Sequence, residues 1–161
     1  MTSPETIKNH HIGAAGELLV QYQLLKYGID SARLTTDSGI DLVMYLPITG
    51  EAFTVQVKTK RQPVAAGGKG KPSLNWPIPV KDAITDCAQW LACVDLSRDA
   101  VWLFTIEQAR WYGKQTPPLL YWFVGDGPAG ALREDQMTAY RLETVAKQLV
   151  ATGTTATVER G

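Results

Sequence analysis

Three side chains between residues 39 and 60 are of types that could do chemistry together. Asp41 lies in GIDLVMYL, and Gln56 and Lys58 lie in FTVQVKTK. A carboxylate and an amide both offer hard oxygens, the donors that Mg²⁺ takes while keeping several waters. A lysine beside such a cation can stabilise charge on a phosphate or help activate a water. The chemistry in view is hydrolysis of a phosphate ester, if the chain brings the three onto one face.

The local pattern supplies that face. FTVQVKTK alternates, with Phe53, Val55, Val57 and Thr59 on one side of a strand and Thr54, Gln56, Lys58 and Lys60 on the other. GIDLVMYL is a second strand, joined to the first through PITG. A symmetric turn over residues 47–50 sets Ile40 against Val57, Leu42 against Val55 and Met44 against Phe53. One face is then apolar on both strands, as a correct register requires. On the other face Asp41 lands across from Gln56, with Lys58 two residues further along and Val43 and Tyr45 as partial cover. Directly opposed Cβ atoms lie about 4.5–5.5 Å apart. If the first helix packs on this face, Glu17 adds a second carboxylate.

The elements that must position these residues follow. HIGAAGELLVQYQLLKYG reads as a helix over about residues 11–27, with Ile12, Ala15, Leu18, Leu19, Tyr22 and Leu25 at helical spacing and Gly28 as its C-terminal cap. Its GAAG stretch suits close approach to a sheet. SARLTT is a short strand and DSG a turn. Residues 61–79 read as a long Gly/Pro/Lys loop, and VKDAITDCAQ as a short helix. WLACVDL and AVWLFTI form a buried hairpin. IEQARWYG is a short helix, PPLLYWFVGDG a late strand and REDQMTAYRLETVAKQLVATG a closing helix. Residues 1–10 and 153–161 read as loosely held termini. The expectation is one mixed α/β (α+β) domain spanning residues 1–161.

The order and the motifs together resemble the PD-(D/E)XK nuclease superfamily, which includes restriction enzymes and Holliday-junction resolvases. The match runs over about residues 12–60: Glu17 on the helix, SGIDLV with Asp41, and VQVKTK with Gln56 and Lys58. The resemblance implies a restriction-endonuclease-like core: helix, three-stranded antiparallel meander, helix, further strands. It also implies an Mg²⁺- or Mn²⁺-dependent endonuclease acting on DNA. Within it, Asp41, Gln56 and the main-chain carbonyl of Val57 would hold metal, and Lys58 would orient or deprotonate the attacking water. Glu17 would bind a second metal or a metal-bound water. Ile40 replaces the motif's proline, and Gln56 stands where Asp or Glu is usual. That second change removes one negative charge and weakens the hold on metal. The alternative is a nuclease-fold module with weak or lost cleavage that binds nucleic acid or a protein partner.

Bulk properties set the frame. The 161 residues are 45% hydrophobic and 20% charged, which describes a folded globular chain. Net charge is zero, so attraction to nucleic acid must come from a local patch. From Ala52 to Lys81 there is no acidic residue, and Lys60, Arg61, Lys69 and Lys71 are expected to track a phosphate backbone beside the site. Trp76 either stacks on a base or fills the core. No apolar run suits a membrane span and no signal core precedes the domain, so a cytoplasmic setting is expected. Cys87 and Cys93 read as free thiols. A homodimer is compatible with cutting two strands. GGKGKPS fails the phosphate-loop pattern at Ala65 and Pro72, adjacent His10 and His11 lack partners for zinc, and Ser38 lacks a nucleophile-elbow context.

Overall fold

The structure, a computed structural model, describes residues 6–36, 39–66, 70–79 and 88–153. Helix α1 (Asn9–Lys26) is followed by the meander β1 (Asp30–Arg33), β2 (Leu42–Leu46) and β3 (Glu51–Lys60). Then come β4 (Val64–Ala65), β5 (Pro72–Pro77), β6 (Trp90–Asp95), β7 (Ala100–Thr105), α2 (Ile106–Tyr112), β8 (Leu119–Phe123) and α3 (Leu142–Thr152). This is the mixed α/β architecture expected, with a five-stranded sheet in the order β1-β2-β3-β6-β7. Only the central β3–β6 pair is parallel; its neighbours in that sheet are antiparallel.

The β2–β3 register is the one the apolar pairs demand. Leu42 pairs with Val55 and Met44 with Phe53 across a turn that ends in Gly50 at φ 71°. One face of the sheet carries Leu42, Met44, Val55, Ala92, Val94, Val101 and Leu103 into a core shared with Val20 and Leu24 of α1 and Val145 and Leu149 of α3. The opposite face carries Leu91, Cys93, Trp102 and Phe104 into a second core with Leu74, Trp76, Leu120 and Trp122.

Three expectations need correction. Residues 61–79 are not one loop: β4 and β5 build a second sheet with β8. Alternation inside SLNW buries Leu74 and Trp76, and the flanking prolines fall at the strand ends, where a missing N–H is tolerated. Trp76 therefore fills the core and donates from Nε1 to the Val94 carbonyl at 3.1 Å, so it does not stack on a base. The closing helix is broken. A 3₁₀ segment runs over Glu134–Tyr140, and Arg141 is extended (ψ 136°), bridged to Trp102 on the sheet edge, before α3 begins. Finally, α1 buries Gly16, Val20 and Leu24, while Leu18, Tyr22 and Leu25 are 54%, 60% and 57% exposed.

The helix expected at VKDAITDCAQ falls mostly on residues 80–87, outside the described residues, as do Lys69, Cys87 and Ser38. The expected loose termini also lie largely outside them, although residues 9 and 10 belong to α1. Among the described residues, no helix is long and apolar enough to cross a membrane.

Candidate metal and phosphate site

Antiparallel pairing puts the start of β2 beside the end of β3, so Asp41, just before β2, meets the half of β3 that holds Gln56 and Lys58. The Asp41 N–H donates to the Val55 carbonyl at 2.9 Å. Its Oδ2 accepts the Val57 N–H at 2.7 Å. The carboxylate thus takes a place in the backbone ladder, which fixes its direction. Among the described residues, Oδ1 has no protein partner.

On β3 Gln56 and Lys58 alternate with Val55 and share the face away from α1, while Asp41, just before β2, meets β3 at Val55 and Val57. Gln56 Oε1 is buried and has no hydrogen-bond partner. A buried acceptor left unpaired is costly and rare, and such an atom calls for an explanation. An amide oxygen beside a carboxylate is a suitable donor pair for a hard cation. Among the described residues, however, no group of three or more His, Cys, Asp or Glu side chains is placed to hold a metal. Among the described residues the side-chain donors in view are the Asp41 and Glu17 carboxylates and the Gln56 amide.

Lys58 lies on the same face as Gln56, next to Cys93 across the parallel pair. Burial pushes the Cys93 thiol well above its ordinary value, and the Lys58 ammonium opposes that rise. No carboxylate pairs with Lys58, Lys60, Arg61 or Lys71 among the described residues, where Arg61 and Lys71 are exposed. The site face is more open than expected at its far end, where Tyr45 is 47% exposed.

Glu17 reaches the site by an unexpected route. Helix α1 does not pack on the Asp41 face. It packs on the other one, where a Cβ at Gly16 would meet the Thr59 side chain. Even so, Glu17 and Asp41 line one polar pocket of about 300 Å³ at the margin of the sheet, with Arg33, Leu34, Thr35, Thr36 and Ile40. Gln56 and Lys58 are not among its lining residues. The fold therefore joins Glu17 to Asp41 by the pocket, and ties Asp41 to β3 at Val57, between Gln56 and Lys58.

Arg33 is the residue that sequence reasoning missed. From the end of β1 its Nε and Nη2 donate to Glu17 Oε2 at 3.0 and 2.8 Å. The pair is 16 residues apart in sequence, beyond any helical spacing, so no local pattern advertises it.

No protein-family model matches the sequence, and no curated protein matches it. Among solved structures, a bacterial homing endonuclease, I-Ssp6803I, superposes with a TM-score of 0.61 at 14% identity. The alignment covers 91% of this chain and 94% of the endonuclease. At that identity the likeness shows the fold: this chain has the α/β architecture of a nuclease.

Proposed function

We propose that the chain is a metal-dependent endonuclease of the PD-(D/E)XK type that hydrolyses phosphodiester bonds in DNA. The observation that carries the reading is the buried, unpartnered Gln56 Oε1, one residue along β3 from Val57, whose N–H the Asp41 carboxylate accepts. Likeness to a homing endonuclease over 91% of the chain supports it. Asp41, Gln56 Oε1 and the Val57 carbonyl are the ligands for Mg²⁺ or Mn²⁺, and Glu17 adds a carboxylate from the pocket side. When bound, the cation supplies Lewis-acid stabilisation of charge on the phosphate.

The chain's own groups do the rest. The Val57 N–H holds Asp41 in place, Lys58 orients the attacking water, and Lys60, Arg61, Lys69 and Lys71 hold the backbone through salt-sensitive contacts. Purified protein with Mg²⁺ or Mn²⁺ should nick or linearise supercoiled plasmid. Asp41→Ala and Lys58→Ala should each reduce cutting by at least about a hundredfold while the protein stays folded, with Asp41→Ala melting lower because the Val57 N–H loses its acceptor. Wild-type protein that leaves plasmid intact with either cation would sink the enzymatic reading.

A second reading has a specific observation behind it. Gln56 is neutral and Glu17 is already paired with Arg33, so among the described residues Asp41 is the one donor carboxylate outside an ion pair. A binding module with weak cleavage is consistent with that charge. It predicts a gel shift of DNA without cutting.

A further inference from the structure

We infer that Arg33 is a phosphate-contacting residue of this pocket, holding Glu17 with one edge of its guanidinium and a DNA phosphate with the other. The inference rests on the reading of the site as one for DNA. Arginine has five N–H donors in a planar fork. Here Nε and Nη2 both turn to the same oxygen, Glu17 Oε2. Nη1 has no protein partner among the described residues, so it and the second Nη2 hydrogen present an unused edge. That edge matches a phosphate in the bidentate manner that lysine cannot reproduce.

Position supports the assignment. Among the described residues that line the pocket Arg33 is the only cation, and its side chain is 43% exposed, so a ligand can reach it. It stands at the last residue of β1, paired with Leu42, which follows Asp41 directly. The Leu34 N–H donates to the Asp41 carbonyl at 3.0 Å, tying the Arg33 end of β1 to the site. The hydroxyl residues Thr35 and Thr36 stand beside it as further donors. Charge points the same way. Asp41 and Glu17 alone would repel a phosphate at the pocket mouth. Arg33 neutralises Glu17 and leaves a mixed site that accepts an anion.

The test is binding of a fluorescently labelled DNA duplex in EDTA, which prevents cutting, measured across a salt series. Arg33→Met should weaken binding roughly tenfold, the scale of a hydrogen bond to a charged group. It should also lower the magnitude of the log K against log salt slope by about 0.9, the value of one phosphate contact. Arg33→Lys should restore the slope but only part of the affinity. Glu17→Gln should bind DNA more tightly than wild type, because a carboxylate has gone and the guanidinium remains. A salt bridge that merely ties α1 to β1 gives another pattern, with Arg33→Met and Glu17→Gln losing affinity alike, and that result overturns the inference. So does Arg33→Met binding with wild-type affinity and slope. Should Arg33→Met not fold, Arg33→Lys carries the test, and wild-type affinity from it overturns the inference. Wild-type protein that binds no duplex even at low salt overturns the DNA reading itself, and this inference with it.

Discussion

Gln56 concentrates the chemistry of the site in one neutral oxygen. A glutamate in its place would add a carboxylate to the strand that holds Asp41, where two like charges raise each other's energy until a cation arrives. Gln56→Glu should therefore lower the melting temperature without metal and recover it as Mg²⁺ is added, by the linkage that lets a ligand stabilise the state it binds. Metal affinity should rise roughly tenfold, a small share of the attraction between a unit charge and a divalent cation at contact. Calorimetric titration with Mg²⁺ checks this directly, and an unchanged affinity would remove Gln56 from the ligand set. At this scale the sequence was informative for the β2–β3 register and for the shared face of Gln56 and Lys58, because strand alternation and a short turn fix them. It was silent on Arg33, whose partner comes from a helix on the far side of the sheet.

The approach of α1 to β3 shows why elements are harder to read than residues. The helix is apolar on more than one side, so periodicity does not choose a face. Leu18, Tyr22 and Leu25 repeat as regularly as Gly16, Val20 and Leu24, yet only the second set is buried. Shape decides between them. Gly16 lets the helix backbone come against Thr59, and no larger residue fits. A methyl at Gly16 would overlap Thr59 Oγ1 and stand 2.8 Å from its Cβ. Gly16→Ala should therefore destabilise the protein by about 1–3 kcal/mol by overpacking, despite the better helix propensity of alanine. Urea denaturation measures that loss, and Gly16→Ala/Thr59→Ala should recover part of it. Because Glu17 is the next residue, the same variant should also disturb the Arg33 pair. The break before α3 was equally hidden. No proline or glycine marks Arg141; its bridge to Trp102 draws the backbone straight, with the guanidinium 5.1 Å from the indole ring.

The molecule as a whole is one central sheet covered on both faces, and the second cover was the least legible part. Residues 61–79 look like a loop because glycine, proline and lysine dominate them, and only Leu74 and Trp76 mark the buried strand within. Trp76, Trp102 and Trp122 meet with ring centroids 4.8 to 5.7 Å apart, which welds the small sheet to the large one. Trp76→Ala should cost about 3–5 kcal/mol, a large part of a typical domain's stability of about 5–15 kcal/mol. Thermal melting followed by intrinsic fluorescence would register the loss, and a variant as stable as wild type would contradict the packing described. Away from the site, Arg98 joins the buried Asp95 to Glu134, and its hydrogen bond to Glu134 is the chief reason its guanidinium is held above its ordinary value.

The parallel pairing of β3 with β6 also sets an order in time. Glu17, Arg33, Asp41, Gln56 and Lys58 all lie before residue 61, on a helix and a meander whose contacts close over short stretches of chain. The far edge of β3 must wait for β6, which begins at Trp90, beyond β4 and β5 in the chain. During synthesis the groups proposed for chemistry emerge as a nascent N-terminal unit before the strand that completes their platform exists. Until β6 arrives, Lys58 stands on an open strand edge, and the order of emergence leaves that edge unpaired until Trp90 and the residues after it are made.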